Sequence, residues 1–208
     1  QRYSGFAFFQ AECTGPITRV FTLDAHLNRG ARARITTDAS PWGIGGFFII
    51  SGSIKYYFFD AITAEDAAFL GITIGTPEAQ QCCECLATLV AMKLWREQWQ
   101  TSRIRLEVRA DNVTTLSMVR RLRAKGIGLT AISQELALVV AGGTYEPDVC
   151  THTLGIHNKL ADILSRQFDP NNTTRLPSSL QDAVFQRPPR RDHSWWDVVD
   201  PPAQTLGK

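Results

Sequence analysis

The stretch ITTDAS, residues 35–40, closes a β-branched run on an acid, Asp38, and Pro41-Trp42-Gly43-Ile44-Gly45-Gly46 then turns into a second apolar run. A second acid, Asp111, follows the alternating RIRLEVR of residues 103–109. In α/β sheets the strand ends are where ligand groups gather. Two carboxylates at neighbouring strand ends repel each other unless a divalent cation neutralises them, and these are the oxygen donors that Mg2+ takes. A Glu from the first long helix and an Asp from the last would bring the set to four. Such a set suffices for two ions about 3.5–4 Å apart, the arrangement for in-line attack of water on a phosphodiester. Each acid also has a purely structural reading. Asp38 is an ordinary turn residue, and Asp111 is placed to N-cap the helix that follows it.

The elements that must position these acids are legible as periodicities. Three strand-like runs, Arg34 to Ala39, Ile44 to Ser51 and Ser53 to Phe59, come first, the last two joined by the Ser51-Gly52-Ser53 turn. Thr76-Pro77-Glu78 opens a helix with an N-cap, a first-turn proline and an acid. Leu86, Leu89, Val90 and Leu94 carry it to about Trp99. A strand over Arg103 to Arg109, a helix from Asp111 to about Gly126, and a helix from Leu129 to Ala141 follow. A strand from Thr144 to Thr151 and a short helix from Asn158 to Arg166 complete the series. Three meandering strands and then alternating helix and strand predict one mixed sheet with helices packed on it. Residues 1–33 read as a lead-in, residues 60–76 as an undecided connection. Residues 167–208 read as a Pro- and Arg-rich tail whose Trp195-Trp196 docks on the domain or on a partner.

At 208 residues and 44% hydrophobic content the chain can bury a sizeable core, and a net charge of +2 excludes a global basic field. Nucleic-acid contacts therefore need local clusters. The candidates are Arg29, Arg32 and Arg34; Arg120, Arg121, Arg123 and Lys125; and Arg187, Arg190 and Arg191. Five irregularly spaced cysteines fit a reducing compartment better than a disulfide framework. Cys82, Cys83 and Cys85 contain a C-x-x-C without a second pair and read as core residues. The apolar runs are too short to span a bilayer, and no signal-peptide layout opens the chain. The expected setting is intracellular, cytoplasm or nucleus, with no membrane partner.

Four stretches together carry a resemblance: TTDASPWGIGG, ECLATLVAMKLW, VRADNVTTLSM and HTLGIHNKLADILSR. They resemble the ribonuclease H domain of retroelement reverse transcriptases, of the gypsy and DIRS types, over about Arg34 to Arg166. The last is the most specific. His152, Gly155, Asn158, Ala161, Asp162, Leu164, Ser165 and Arg166 match the family's H-x-x-G-x-x-N-x-x-A-D-x-L-S-R pattern. The resemblance implies an α/β fold with a ribonuclease-H-like mixed five-stranded sheet and helices on both faces, over residues 34–166. It implies Asp38, Glu84, Asp111 and Asp162 as metal ligands and catalytic acids, and His152 as a mobile histidine aiding proton transfer or product release. It further implies two Mg2+ ions, with Mn2+ able to substitute, and cleavage of the RNA strand of RNA/DNA hybrids. A polymerase domain of the same polyprotein is then the implied partner, since the Tyr-x-Asp-Asp polymerase turn is absent.

Glu78 lies six positions before Glu84, roughly 120° round a helix, so the two cannot face one cluster. Glu78 suits the positive end of the helix dipole. Glu84, with Ala87 three residues on, fits the family's E-x-x-A context and is preferred, with Glu78 as the fallback. Asp162 and Arg166 are also spaced i, i+4, as a surface ion pair would be. Arg120, Arg121, Arg123 and Lys125 are candidate phosphate contacts. Asn112 is a candidate donor to a 2′-hydroxyl, unless it caps the helix, and Asn158 of the final motif is grouped with the substrate contacts. Gly43 to Gly46 matches neither phosphate-loop spacing. The competing reading is a ribonuclease-H-like structural or nucleic-acid-binding module that keeps the fold and does not cut.

Overall fold

The structure, a computed structural model, describes residues 31–100, 104–141, 147–152 and 158–198. The lead-in up to residue 30 lies outside them. Strands β1 (Ala31–Ala39), β2 (Gly43–Ile50) and β3 (Ser53–Ala61) form an antiparallel meander, with Asp38 opposite Gly45 and Phe47 opposite Tyr57. β4 (Ile104–Ala110) joins the other side of β1 in parallel, and β5 (Pro147–His152) runs parallel to β4. The expected mixed five-stranded sheet, order β5-β4-β1-β2-β3, is there, flanked by helices on both faces. A sixth strand, β6 (Val184–Phe185), extends it beyond β3.

The helices in chain order are α1 (Ala64–Leu70), α2 (Gln80–Leu94), α3 (Glu97–Gln100), α4 (Val113–Arg121), α5 (Ile127–Ala141) and α6 (Lys159–Ser165). Period-two alternation assigns the faces. Ile35, Ile44, Phe48 and Phe58 point to the α2 side, where Trp95 stacks on Phe48 at 5.3 Å and meets Phe58 edge-on at 5.6 Å. α2 is buried nearly all round, between the sheet and helices α4 and α5, so its apolar residues show no single stripe. Cys82, Cys83 and Cys85 belong to this core, and burial pushes their thiols up to about 12, 12 and 11. The helix starts later than Thr76 suggests. Pro77–Ala79 is a single 3-10 turn, Thr76 makes no side-chain cap, and Glu78 is exposed there.

On the opposite face α6 lies directly on the strand backbones. A Cβ at Gly45 would stand 2.5 Å from Leu164 Cβ, and one at Gly43 would stand 2.7 Å from the Ser165 carbonyl oxygen. Ser40 fixes the same contact by donating from Oγ to the Ser165 carbonyl at 2.9 Å. Gly45→Ala is therefore expected to push α6 off the sheet and destabilise the fold by about 2 kcal/mol or more, as overpacking does. Urea unfolding with an unchanged midpoint would contradict this close approach.

Residues 60–76, undecided from sequence, contain α1. Its polar first turn closes a capping box, in which Thr63 Oγ1 accepts from Asp66 N–H at 3.1 Å and Asp66 Oδ2 accepts from Thr63 N–H at 2.9 Å. The segment after α6 returns to the domain. Arg191, its side chain fully buried, donates to Asp66 Oδ1 and Oδ2 at 2.9 and 2.8 Å, to Asp60 at 2.5 Å and to the Ala61 carbonyl at 2.6 Å. Trp196 stacks on Phe69 at 4.2 Å, so the tryptophan pair docks on the domain itself.

Candidate functional site

Asp38 stands at the C-terminal end of β1, on the face that α6 covers, because its register partner Gly45 meets Leu164. It is 6% exposed, and its Oδ1 accepts the Ala39 N–H at 2.8 Å. Glu84 is brought to the same end by α2. Gln80, one turn earlier, donates to Glu84 Oε1 at 3.1 Å and to the Ala39 carbonyl at 2.6 Å, tying helix to strand. The Oε2 of Glu84 is buried with no hydrogen-bond partner among the described residues. Asn158, 2% exposed, precedes α6 and donates to the Thr37 carbonyl at 3.3 Å. Asp111, half-buried, follows β4.

These carboxyls feel one another. Burial, and then the charge of Asp111, push Asp38 up to about 8, with smaller contributions from Asp162 and Glu84 against the lowering effect of the Ala39 N–H. Burial, followed by Asp111, raises Glu84 to about 7, while Gln80 and Asn112 act to lower it. Asn112 does so through its side-chain amide. Its own Oδ1 accepts from Thr114 N–H at 2.7 Å, which makes Asn112, and not Asp111, the N-cap of α4. At neutral pH the site relieves much of its repulsion by keeping protons.

Two Mg2+ ions, or Mn2+ in their place, are not supported. Among the described residues no group of three or more His, Cys, Asp or Glu is placed to hold a metal ion. This overturns the expected metal role of Asp38, Glu84, Asp111 and Asp162, and with it the two-metal ribonuclease H activity and the hydrolase assignment. The local geometry gives the reason. Asp162 turns one oxygen to Arg166 at 2.6 Å and is 41% exposed, the i, i+4 ion pair that its spacing allowed. Glu84 is held by Gln80, and Asp38 folds back on its own backbone. His152 ends β5 opposite Ala110, and its side chain lies outside the described residues, as do residues 153–157. Millimolar Mg2+ is accordingly expected to leave the melting temperature unchanged. A Mg2+-dependent rise that Asp38→Asn removes would restore the metal reading.

The basic clusters separate. Arg34 pairs with Glu107 at 2.7 Å. Arg190 pairs with Glu65, and Arg191 is buried with Asp66. Arg120, Arg121, Arg123 and Lys125 are all exposed where α4 ends in a left-handed Leu122 (φ 50°), and none is ion-paired among the described residues. Gln80 and Ser40 organise the site and were not singled out from sequence. The i, i+4 spacing of Gln80 to Glu84 was the available signal.

A scan against protein-family models finds no match and a search of curated proteins finds no similar chain, so nothing from relatives supports the nuclease and retroelement terms that the resemblance suggests.

Proposed function

We propose that this ribonuclease-H-like domain is a nucleic-acid-binding module that does not cut. The observation that supports the reading is the cluster Arg120, Arg121, Arg123 and Lys125, exposed at one place on the surface with no acid to neutralise it among the described residues. Arg120 and Arg121 also suit the negative end of the α4 dipole, yet their guanidiniums remain in solvent, free to meet phosphates. Phosphate contacts position a duplex without reading its sequence. An RNA/DNA hybrid is the proposed ligand, in line with the fold and with the four stretches that carry the resemblance. The α6 ion pair keeps Asp162 occupied.

Hybrid binding measured by fluorescence anisotropy across salt concentrations tests this. Four phosphate contacts give a log–log slope of about −3 to −4 with salt, since each neutralised phosphate contributes about −0.9. Replacing all four cations by Glu is expected to weaken binding at least tenfold and to flatten the slope. Equal affinity of wild type and variant, or a salt-independent affinity, would sink the reading.

A further inference from the structure

The segment after α6 behaves as a ligand that happens to be covalently attached. Its anchors all sit on elements between β3 and α5. Gln186 donates its N–H to the Tyr57 carbonyl at 2.9 Å and accepts from Trp95 Nε1 at 2.7 Å. Arg191 fills the Asp60–Asp66 pocket and leaves no exposed side-chain surface. Trp196 lies on Phe69. Further on, the fully buried Glu135 carboxylate accepts the N–H groups of Asp197 at 3.0 Å and Val198 at 3.0 Å, and Lys93 bridges Glu135 and the Trp195 carbonyl. Two buried carboxylates, Asp66 and Glu135, thus each take two hydrogen-bond donors or more from one segment far along the chain, beside Thr63 and Lys93 from the domain.

The connection that carries the segment is held more lightly, by Phe168 against Phe59 at 6.1 Å and by a buried Leu180. Between Arg166 and Ala183 the hydrogen bonds are local, as in Asn172 N–H to the Asp169 carbonyl and Ala183 N–H to the Leu180 carbonyl. Extended, this connection reaches roughly 60 Å. None of the anchors depends on which chain supplies the segment.

We propose that the surface formed by the β3 edge, α1 and the ends of α2 and α5 is a peptide-binding groove, and that its second occupant is the 184–198 segment of another copy of this chain. Recognition rests on a guanidinium for the acidic pocket, an indole for Phe69 and two consecutive backbone N–H groups for Glu135. In the intact chain the tethered segment has an effective concentration on the order of mM. The wild type therefore stays closed at µM concentration, and exchange shows when one partner's own segment is impaired.

Two full-length variants test this by complementation. Arg191→Ala impairs the segment and keeps the groove; Asp66→Asn impairs the groove and keeps the segment and an acceptor for Thr63. Each is incubated alone and together at tens of µM, with folding checked by circular dichroism, and the masses are read by light scattering. The expected result is a 1:1 heterodimer in the mixture, at least tenfold more abundant than dimer in either variant alone. A mixture that stays monomeric, or dimers equally abundant in the separate variants, overturns the proposal. If Arg191→Ala does not fold, the pair Trp196→Ala and Phe69→Ala asks the same question through the ring contact, with the same two outcomes.

Discussion

Asp38→Asn is expected to stabilise this protein, and by more as the pH rises. Burial and the neighbouring carboxyls lift Asp38 from its ordinary 3.8 to about 8. Between those values the folded protein keeps a proton that the unfolded chain has released. Stability then falls as pH climbs through that window and levels off above it. At about 1.4 kcal/mol for each tenfold change in proton affinity, the liability at pH 7 is on the order of 4 kcal/mol. Asparagine removes the ionisation and keeps an acceptor for the Ala39 N–H. Urea unfolding of wild type and variant at pH 4, 6 and 8 reads it: the two curves lie close at pH 4 and separate progressively. A gain of the same size at every pH would mean that the carboxyl does not titrate as its surroundings dictate.

Arg191→Met carries the second large effect, in the opposite direction. The guanidinium has no solvent contact and meets Asp66, also without solvent contact, through two nitrogens. Burial works against its charge, but Asp66 and Asp60 more than offset that and hold Arg191 above its ordinary value. Removing one member of a buried pair strands the other, at a cost of about 3–5 kcal/mol. Replacing Asp66 by Asn in the Arg191→Met background removes the stranded charge and is expected to recover part of the loss. Thermal melts of the two single variants, Arg191→Met and Asp66→Asn, and of the double variant decide it. Additive losses in the double variant would show that the two groups do not interact.

Both predictions hinge on features that the sequence expresses unequally. The strand over Arg34–Ala39, the Ser51-Gly52 turn and the RIRLEVR strand were legible because period-two alternation and turn residues are local signals. The fold class followed from their order. α1 was not legible: AEDAAFL has weak periodicity, and its stability draws on Arg191, 125 positions away. β6 is only two residues long and exists because β3 offers it an edge. At the site, the sequence aligned four acids with a metal-binding pattern, but spacing says nothing of where a carboxylate turns. Asp162 turns to Arg166 and Glu84 is held by Gln80. Asn112 shows the same limit on a smaller scale, since two adjacent polar residues could each cap α4 and only backbone geometry chose between them.

The brevity of β6 has a bearing on how the protein fails. β3, SIKYYFFDA, is aromatic, β-prone and free of proline, the composition of a strand that recruits copies of itself. In the native fold its outer edge is masked by a two-residue strand and the Gln186 N–H, and Pro188-Pro189 just beyond cannot continue a ladder. Lifting that short cover frees the backbone groups of β3 around Tyr56 and Tyr57. Edge-to-edge association is therefore expected to compete with refolding where the 184–198 segment is loosened, which light scattering alongside a thermal melt would read.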